Sequence, residues 1–288
     1  MNSPRDLRRR IRSVSSTAQI TRAMQMVAAS KMRRAQHAAL KGRPFVQMLY
    51  RIQREATSRM QEFRHPLLEV RKVKNCAVIV MAADKGLCGA LNTNLFRLAA
   101  EFDPKTTIYI AAGKKAAQFL TRTHRHLAAE FTYADTPQFS EARAISKFAR
   151  DLFLNRDVDQ VQIAATRFQN TLTQYPVCLE FLPVGEIKGM KIPGAKAEAE
   201  LSGDLGGTLF EPSPEAVLQY LLSHYLDIYV YQVMLNAKAS ELSARMVSMK
   251  NATDNAESLI RDLTLEYNRI RQGNITKELL EIAGGQAE

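Results

Sequence analysis

The sequence predicts an α/β protein in which a long N-terminal helix and a long C-terminal helix form an antiparallel coiled coil, with an α/β domain between them in sequence. Segments 7–63 and 214–282 carry apolar or small residues at alternating spacings of four and three, the period of a coiled-coil seam. Short apolar runs alternate with helical patterns between these segments, which favours an at least partly parallel sheet. The predicted boundaries are 1–74 for the first helix, 75–184 for the α/β domain, 185–212 for an exposed loop and 213–288 for the last helix.

The N-terminal helix has an unusual seam, because most of its members are small or polar. The seam consists of Leu7, Ile11, Val14, Ala18, Thr21, Gln25, Ala28, Met32, Ala35 and Ala39. Small seam residues allow the backbone of a partner helix to approach closely. A second apolar stripe, formed by Ile20, Met24 and Val27, lies on another face of the helix. A helix with two apolar faces is expected to have two neighbours.

The central segment predicts a Rossmann-like α/β domain. Its apolar runs predict strands near residues 75–83, 106–112, 127–133, 159–168 and 177–184. Helical patterns lie between the first three runs, and a clear amphipathic helix covers 140–154. Residues 185–207 are rich in Gly, Lys and Ala and predict an exposed loop.

The C-terminal helix begins near Pro214, a residue that suits a first helical turn. Its seam is Leu235, Ala239, Leu242, Met246, Met249, Thr253, Ala256, Ile260, Leu263, Tyr267 and Ile270. Roughly 65 helical residues extend about 100 Å at 1.5 Å per residue, which is longer than a compact domain of this size. Such a helix needs a partner along its length, and the N-terminal helix has the same period. If both helices leave the same side of the intervening domain, they must run antiparallel.

The positive charge is concentrated in one segment. The chain has a net charge of +11, but residues 1–74 contain 18 Lys and Arg against four Asp and Glu and carry +14, so the remainder carries −3. This asymmetry predicts an acidic partner for the first helix. The sequence has no apolar run near 18 residues, so no membrane span is expected. The start MNSPRDLRRR lacks the apolar core of a secretory signal.

The three cysteines, Cys76, Cys88 and Cys178, are far apart and flanked by apolar residues. Their odd number and the absence of metal-ligand spacing predict buried thiols in a reducing compartment. This pattern favours a cytoplasmic protein.

No motif predicts catalysis, a cofactor or a metal site in this chain. The stretch DKGLCGALN, residues 84–92, follows a predicted strand and opens a helix, where backbone amides can hold a phosphate. However, it lacks the third glycine of GxGxxG, and GxxxxGK[ST] does not occur, so a tight structural turn is favoured. The five histidines show no metal spacing, and no nucleophile elbow is present. Near the C-terminus, Arg271 and Gln272 can offer a guanidinium fork and an amide to acidic or backbone groups of a partner.

Four stretches, taken in order, resemble the γ subunit of bacterial F-type ATP synthase. They are RRRIRSVSSTAQITRAMQMVAASKMRRAQ, DKGLCGALN, FEPSPEAVL and ASELSARMVSMKNATDNAESLIRDLTLEYNRIRQGNITKELLEIAGG. The resemblance covers almost the whole chain. It departs from the family at the tail, where Gly284-Gly285-Gln286-Ala287 stands for a glycine followed by alanines, and at Ser15-Ser16-Thr17, where an Asn-Thr context is usual.

The resemblance implies a non-catalytic rotor subunit of the central stalk, peripheral to the cytoplasmic face of the cell inner membrane. Its coiled coil would turn inside a ring of alternating α and β subunits, and its α/β domain would contact the ε subunit and the membrane ring of c subunits. Carried over residue by residue, Arg271 and Gln272 would touch acidic loops of the β subunits, and Met24 would lie near the same contact. Thr208 and Glu211 would lie near the c ring.

Three other interpretations stay open from the residues alone. A structural coiled coil joined to a domain would explain the seams. A nucleic-acid-binding coiled coil would explain the basic first segment, although that segment lacks the stacking aromatics and dimer-forming leucines of such proteins. A nucleotide-dependent enzyme would explain DKGLCGALN. No nucleic acid is expected as a partner under the leading hypothesis.

Overall fold

The computed structural model describes residues 3–58, 65–184, 211 and 213–284. The chain forms two compact units, one made of residues 1–29 and 245–288 and the other of residues 30–244. Helix α1 (Pro4–Ser58) and helix α5 (Pro214–Gly284) each contribute residues to both units. The boundaries proposed from the sequence stay predictions.

The unit of residues 30–244 is built on a five-stranded sheet with the order β3-β2-β1-β4-β5. Its strands are β1 (Cys76–Met81), β2 (Thr107–Ala112), β3 (Leu127–Phe131), β4 (Gln160–Phe168) and β5 (Gln174–Leu182). The first four strands are parallel, and β5 pairs antiparallel with β4. The intervening helices are α2 (Leu91–Ala100), α3 (Lys114–Arg122) and α4 (Phe139–Leu154), and a short 3-10 helix spans Pro66–Leu68. The Rossmann-like prediction is confirmed.

Alternating residues of the central strands feed two separate cores, one on each face of the sheet. Val78 and Val80 of β1 pack with Leu95 of α2 and Leu120 of α3. On the opposite face, residues of β1 and β4 pack with α4 and with the first half of α5; these include Ile79, Ile163, Ile145, Phe153, Leu226, Val233 and Met234. Burial on both faces explains why β1 is a continuous apolar run rather than an alternating one.

Gly113, which joins β2 to α3, has a backbone conformation that other residues rarely adopt. Its φ is +103° and its ψ is 142°. A Cβ atom placed on this glycine would lie 2.1 Å from the carbonyl oxygen of Ala82. The residue therefore allows α3 to begin directly against the end of β1.

In the unit of residues 1–29 and 245–288, α1 and α5 pack along the predicted seams. Seam residues with at most 9% exposure are Leu7, Ala18, Thr21, Ala28, Met249, Thr253, Ala256 and Leu263. The hydroxyl oxygens of Thr21 and Thr253 are 2.7 Å apart, which fixes the level of one helix against the other.

The helix direction follows from burial at the ends of this pair. Leu7 is buried although it lies within the first turn of α1, and residues 271–280 of α5 are all exposed. With Thr21 level with Thr253, an antiparallel arrangement places the start of α1 beside about residue 270 of α5 and leaves the following residues without cover from α1. The antiparallel coiled coil is therefore confirmed. Two residues of the second apolar stripe of α1, Ile20 and Val27, are 58% and 53% exposed. The described residues therefore bury little of this stripe.

The cysteine prediction is wrong in part. Cys88 is buried, but Cys76 is only partly buried and Cys178 is exposed. Cys178 lies on β5, the antiparallel edge strand, where one side of the sheet has less cover than at the central strands. Its Sγ donates a hydrogen bond to Oε1 of Gln162 on β4 at 2.8 Å. Apolar neighbours in sequence do not bury a residue on such an edge.

Within the ranges that the structure describes, no helix combines the length and apolar character needed to cross a membrane.

Candidate partner-binding surface

The coiled-coil seam contains a buried pair of hydroxyls at its centre. Thr253 lies 2.9 Å from the carbonyl oxygen of Met249, and Thr21 lies 3.1 Å from that of Ala18. Since a hydroxyl has one proton, one threonine donates to the other while the acceptor donates to its own helix. The pair satisfies both polar groups and leaves space for the two backbones to lie close together.

Replacement of Thr21 by valine is expected to lower the free energy of unfolding by about 1 kcal/mol, because it removes one buried hydrogen bond without a change of shape. The double variant Thr21→Val, Thr253→Val is expected to recover part of this loss, since no hydroxyl is then left facing an apolar group. Urea unfolding followed by circular dichroism measures both values. If Thr21→Val and Thr253→Val each lower the free energy of unfolding and the two losses add in the double variant, the hydroxyls do not interact.

The first turns of α1 present a dense basic surface. Its exposed arginines are Arg5, Arg8, Arg9, Arg10, Arg12 and Arg22. Arg9 forms an exposed ion pair with Asp6 at 3.6 Å, and Arg22 lies 2.5 Å from Glu257 of α5. Exposed pairs of this kind contribute on the order of 1 kcal/mol or less, so a partner can exchange with them at low cost.

The structure separates the site residues that the sequence placed at one contact. Arg271 and Gln272 are exposed on α5, and Met24 is half-buried on α1, one turn from Thr21. Because Thr21 is level with Thr253, Arg271 lies about 27 Å further along the pair, at 1.5 Å per residue. The contacts predicted for these residues stay predictions. Glu211 is exposed, and Thr208 lies outside the described residues, as does the side chain of the seam residue Ala39.

The turn DKGLCGALN is held by its own hydrogen bonds. The carboxylate of Asp84 accepts from the backbone N–H of Lys114 at 2.8 Å, which places a negative charge at the N-terminus of α3. The side-chain oxygen of Asn92 accepts from the N–H of Ala83 at 3.3 Å. Leu87 and Gly89 have positive φ values of 62° and 60°. The side chains of Asp84 and Asn92 thus join this turn to α3 and to the end of the first strand, which supports the structural interpretation of the motif.

A cluster of charged side chains that the sequence analysis missed lies where α1, α5 and the loop after β3 meet. Nζ of Lys238 is 3.3 Å from Oδ1 of Asp135 and 3.1 Å from Oε2 of Glu241, and Lys31 of α1 pairs with Oδ2 of Asp135. The side chains of Lys238 and Glu241 are 2% and 4% exposed. The hydrogen bond from Lys31 is the main cause that lowers the pKa of Asp135 to about 2. A signal was available, because Lys238 and Glu241 are charged residues inside an apolar seam region.

The described residues contain no group of three or more His, Cys, Asp or Glu side chains that could hold a metal ion. Burial, together with the nearby Cys178, raises the pKa of Cys76 to about 11, so this thiol stays protonated at neutral pH.

Comparison with known proteins identifies the family. The ATP synthase family model matches residues 3–287. The ATP synthase gamma chain of Opitutus terrae is 44% identical over 297 residues, covering 99% of this chain and 98% of the relative. That of Roseiflexus sp. is 45% identical over 296 residues, covering 100% and 98%. This chain belongs to the ATP synthase gamma chain family.

Solved structures share the gamma-chain fold at low sequence identity. One, from the Euglena gracilis mitochondrial ATP synthase (OSCP, F1 and c-ring), has a TM-score of 0.67 at 20% identity, covering 98% of this chain and 93% of that chain. Another, from the central stalk and c-ring of the Tetrahymena thermophila mitochondrial ATP synthase, has a TM-score of 0.59 at 24% identity, covering 81% and 99%. At these identities the likeness concerns the fold.

Proposed function

We propose that this chain is the central-stalk rotor subunit of an F-type ATP synthase. It couples ion flow through the membrane c ring to ATP synthesis or hydrolysis at the β subunits by turning inside the ring of α and β subunits. It carries no catalytic residue of its own and works at the cytoplasmic face of the inner membrane, peripheral to it through the complex. Its partners are the α and β subunits, the ε subunit and the c ring.

The observation that carries this proposal is the close antiparallel pair of α1 and α5 in a gamma-chain sequence. The small seam residues Ala18, Thr21 and Ala28 are buried, which keeps the pair narrow. The exposed arginines of α1 suit an acidic sleeve, and weak exposed contacts can break and form again as a rotor turns.

The proposal is tested by assembling α and β subunits with and without this chain and measuring ATP hydrolysis, with the c ring and ε subunit added for ATP-driven ion pumping. We expect hydrolysis to depend on the chain and pumping to require it. Hydrolysis by the α and β subunits that is the same with and without the chain would contradict the proposal.

Arg271→Ala is expected to reduce the coupled turnover of the assembled complex by up to about tenfold, through loss of a charge-assisted hydrogen bond to the β subunits. Stability should not change, because Arg271 is exposed. Arg269→Ala is the matched control, since it removes the same charge from an exposed position on a different face of the helix. A lower melting temperature with unchanged turnover would assign Arg271 to the fold instead of the contact.

The contacts of Gln272 and Met24 with the β subunits, and of Thr208 and Glu211 with the c ring, are part of the same proposal. Arg271 and Gln272 form one contact on α5, and Met24 forms a second on α1, in keeping with their separation along the pair. Cross-linking from each position separately distinguishes two contacts from one.

A further inference from the structure

One carboxylate in the unit of residues 30–244 is bonded to both long helices. Asp135 lies in the loop between β3 and α4, at the carboxyl end of a parallel strand. Its Oδ2 accepts a hydrogen bond from Nζ of Lys31 of α1, and its Oδ1 lies 3.3 Å from Nζ of Lys238 of α5. The α/β domain is thereby linked to each helix through the two oxygens of a single side chain.

The α5 side of this junction is built into the protein interior. The Lys238 side chain is 2% exposed, and its charge is balanced by Glu241, one turn further along α5, at 3.1 Å. The Lys238 ammonium also lies 5.8 Å from the ring centre of Tyr133, within cation–π distance. The Tyr133 hydroxyl donates to the carbonyl oxygen of Ala82 at the end of β1, at 3.0 Å. Tyr133 therefore links the junction to the end of the central strand β1.

Helix α5 forms several further polar contacts with the α/β domain. Arg150 of α4 lies 3.0 Å from Asp227, and Ser243 donates a hydrogen bond to the carbonyl oxygen of Thr171 at 2.8 Å. The hydroxyl of Ser240 lies 3.2 Å from the carbonyl oxygen of Thr166 and 2.9 Å from that of Asn236 in its own helix. On α1, Lys31 forms an ion pair with Asp135 of the α/β domain. In the same stretch of α1, Met32 and Ala35 are buried.

We propose that the Lys31–Asp135–Lys238 junction is a joint that holds α1 against α5 and the α/β domain when torque passes along the helices. Apolar contacts are non-directional, so an apolar face alone allows a helix to slide or rotate under load. The two lysines are less exposed than the arginine pairs on the surface of α1, at 2% for Lys238 and 34% for Lys31. The carboxylate between them opposes displacement of either helix, because movement by one helical turn breaks one of its bonds. The three side chains thus position α1, and they take no part in the chemistry.

This inference rests on the proposed rotor function. The hydrogen bond from Lys31 is the main cause of the lowered pKa of Asp135, in line with a close contact between the two groups. The variant for the test is Asp135→Asn, which keeps the shape and removes the charge. Asp135 is 53% exposed, so the variant is expected to fold. Lys31→Met removes the α1 partner of the same carboxylate. Asp151→Asn is the matched control, since Asp151 is exposed on α4.

The experiment compares ATP hydrolysis and ATP-driven ion pumping in complete complexes in lipid vesicles. Asp135→Asn is expected to leave the rate of ATP hydrolysis unchanged. The number of ions pumped per ATP hydrolysed is expected to fall by about threefold, within the range seen for residues that couple distant sites. Lys31→Met should give a similar loss, and the double variant no further loss, because both changes open one joint. Asp151→Asn should match wild type.

The outcomes separate the two claims. If complexes with the wild-type chain hydrolyse ATP and do not pump, the rotor proposal is wrong, and this inference falls with it. If wild type pumps and Asp135→Asn pumps equally well per ATP, with or without a lower melting temperature, the junction is structural only and the inference alone is overturned.

Discussion

Gly113→Ala is expected to lower the free energy of unfolding of the α/β domain by about 3 kcal/mol or more, from backbone strain combined with a direct clash. The glycine has a φ of +103°, a region that residues with a side chain rarely occupy. The new methyl group would lie 2.1 Å from the carbonyl oxygen of Ala82, a backbone atom at the end of a central strand. Neither α3 nor β1 can move away without disturbing its core. Urea unfolding of the whole chain measures the loss.

Gly86→Ala is the control for this prediction. It lies in the turn after β1, and a Cβ atom at this position would meet no atom within 4 Å. Its substitution should change stability by less than about 1 kcal/mol. Equal stability of Gly113→Ala and Gly86→Ala would mean that the strand-to-helix connection is looser than the geometry requires.

Lys238→Met is expected to lower the free energy of unfolding by about 3–5 kcal/mol, because it removes the buried ammonium that pairs with the buried Glu241 carboxylate. The double variant Lys238→Met, Glu241→Met should recover more than half of this loss, since an apolar pair of similar volume often replaces a buried ion pair without penalty. Urea unfolding of the single and double variants gives the interaction energy. Lys250→Met, at an exposed position of the same helix, controls for the change in net charge.

A double variant as unstable as the sum of the two single variants would contradict this account. It would mean that Lys238 and Glu241 act through separate partners. A single variant as stable as wild type would mean that Glu241 is compensated by its other contacts.

The coiled coil and the sheet were both readable from the sequence, because each depends on a local period. Seam residues such as Leu7, Ala28 and Leu263 are buried as the four-three spacing predicts. The five apolar runs became the five strands, with β5 starting at Gln174, a few residues earlier than expected. Pairing with β4 extends that strand into polar sequence, which hydrophobic pattern alone does not indicate.

Other features depend on contacts between residues distant in sequence. Asp135 and Lys238 are 103 positions apart, and only the fold brings them together. Likewise, the separation of Met24 from Arg271 follows from the level at which Thr21 meets Thr253, which the heptad period does not fix. The exposure of Cys178 follows from the place of β5 at the sheet edge. In each case, the sequence specifies the residue type and the tertiary structure specifies its surroundings.

The apolar residues at the C-terminal end of α5 have a consequence for the expression level of this chain in the cell. Ile275, Leu279 and Leu280 are 48%, 61% and 67% exposed, on helical turns that extend past the start of α1. In an unassembled copy these apolar side chains are exposed to water, where they favour aggregation and recognition by chaperones and proteases. We therefore expect the chain to be produced in proportion to the partner subunits that cover the C-terminal end of α5, and unassembled copies to be degraded quickly.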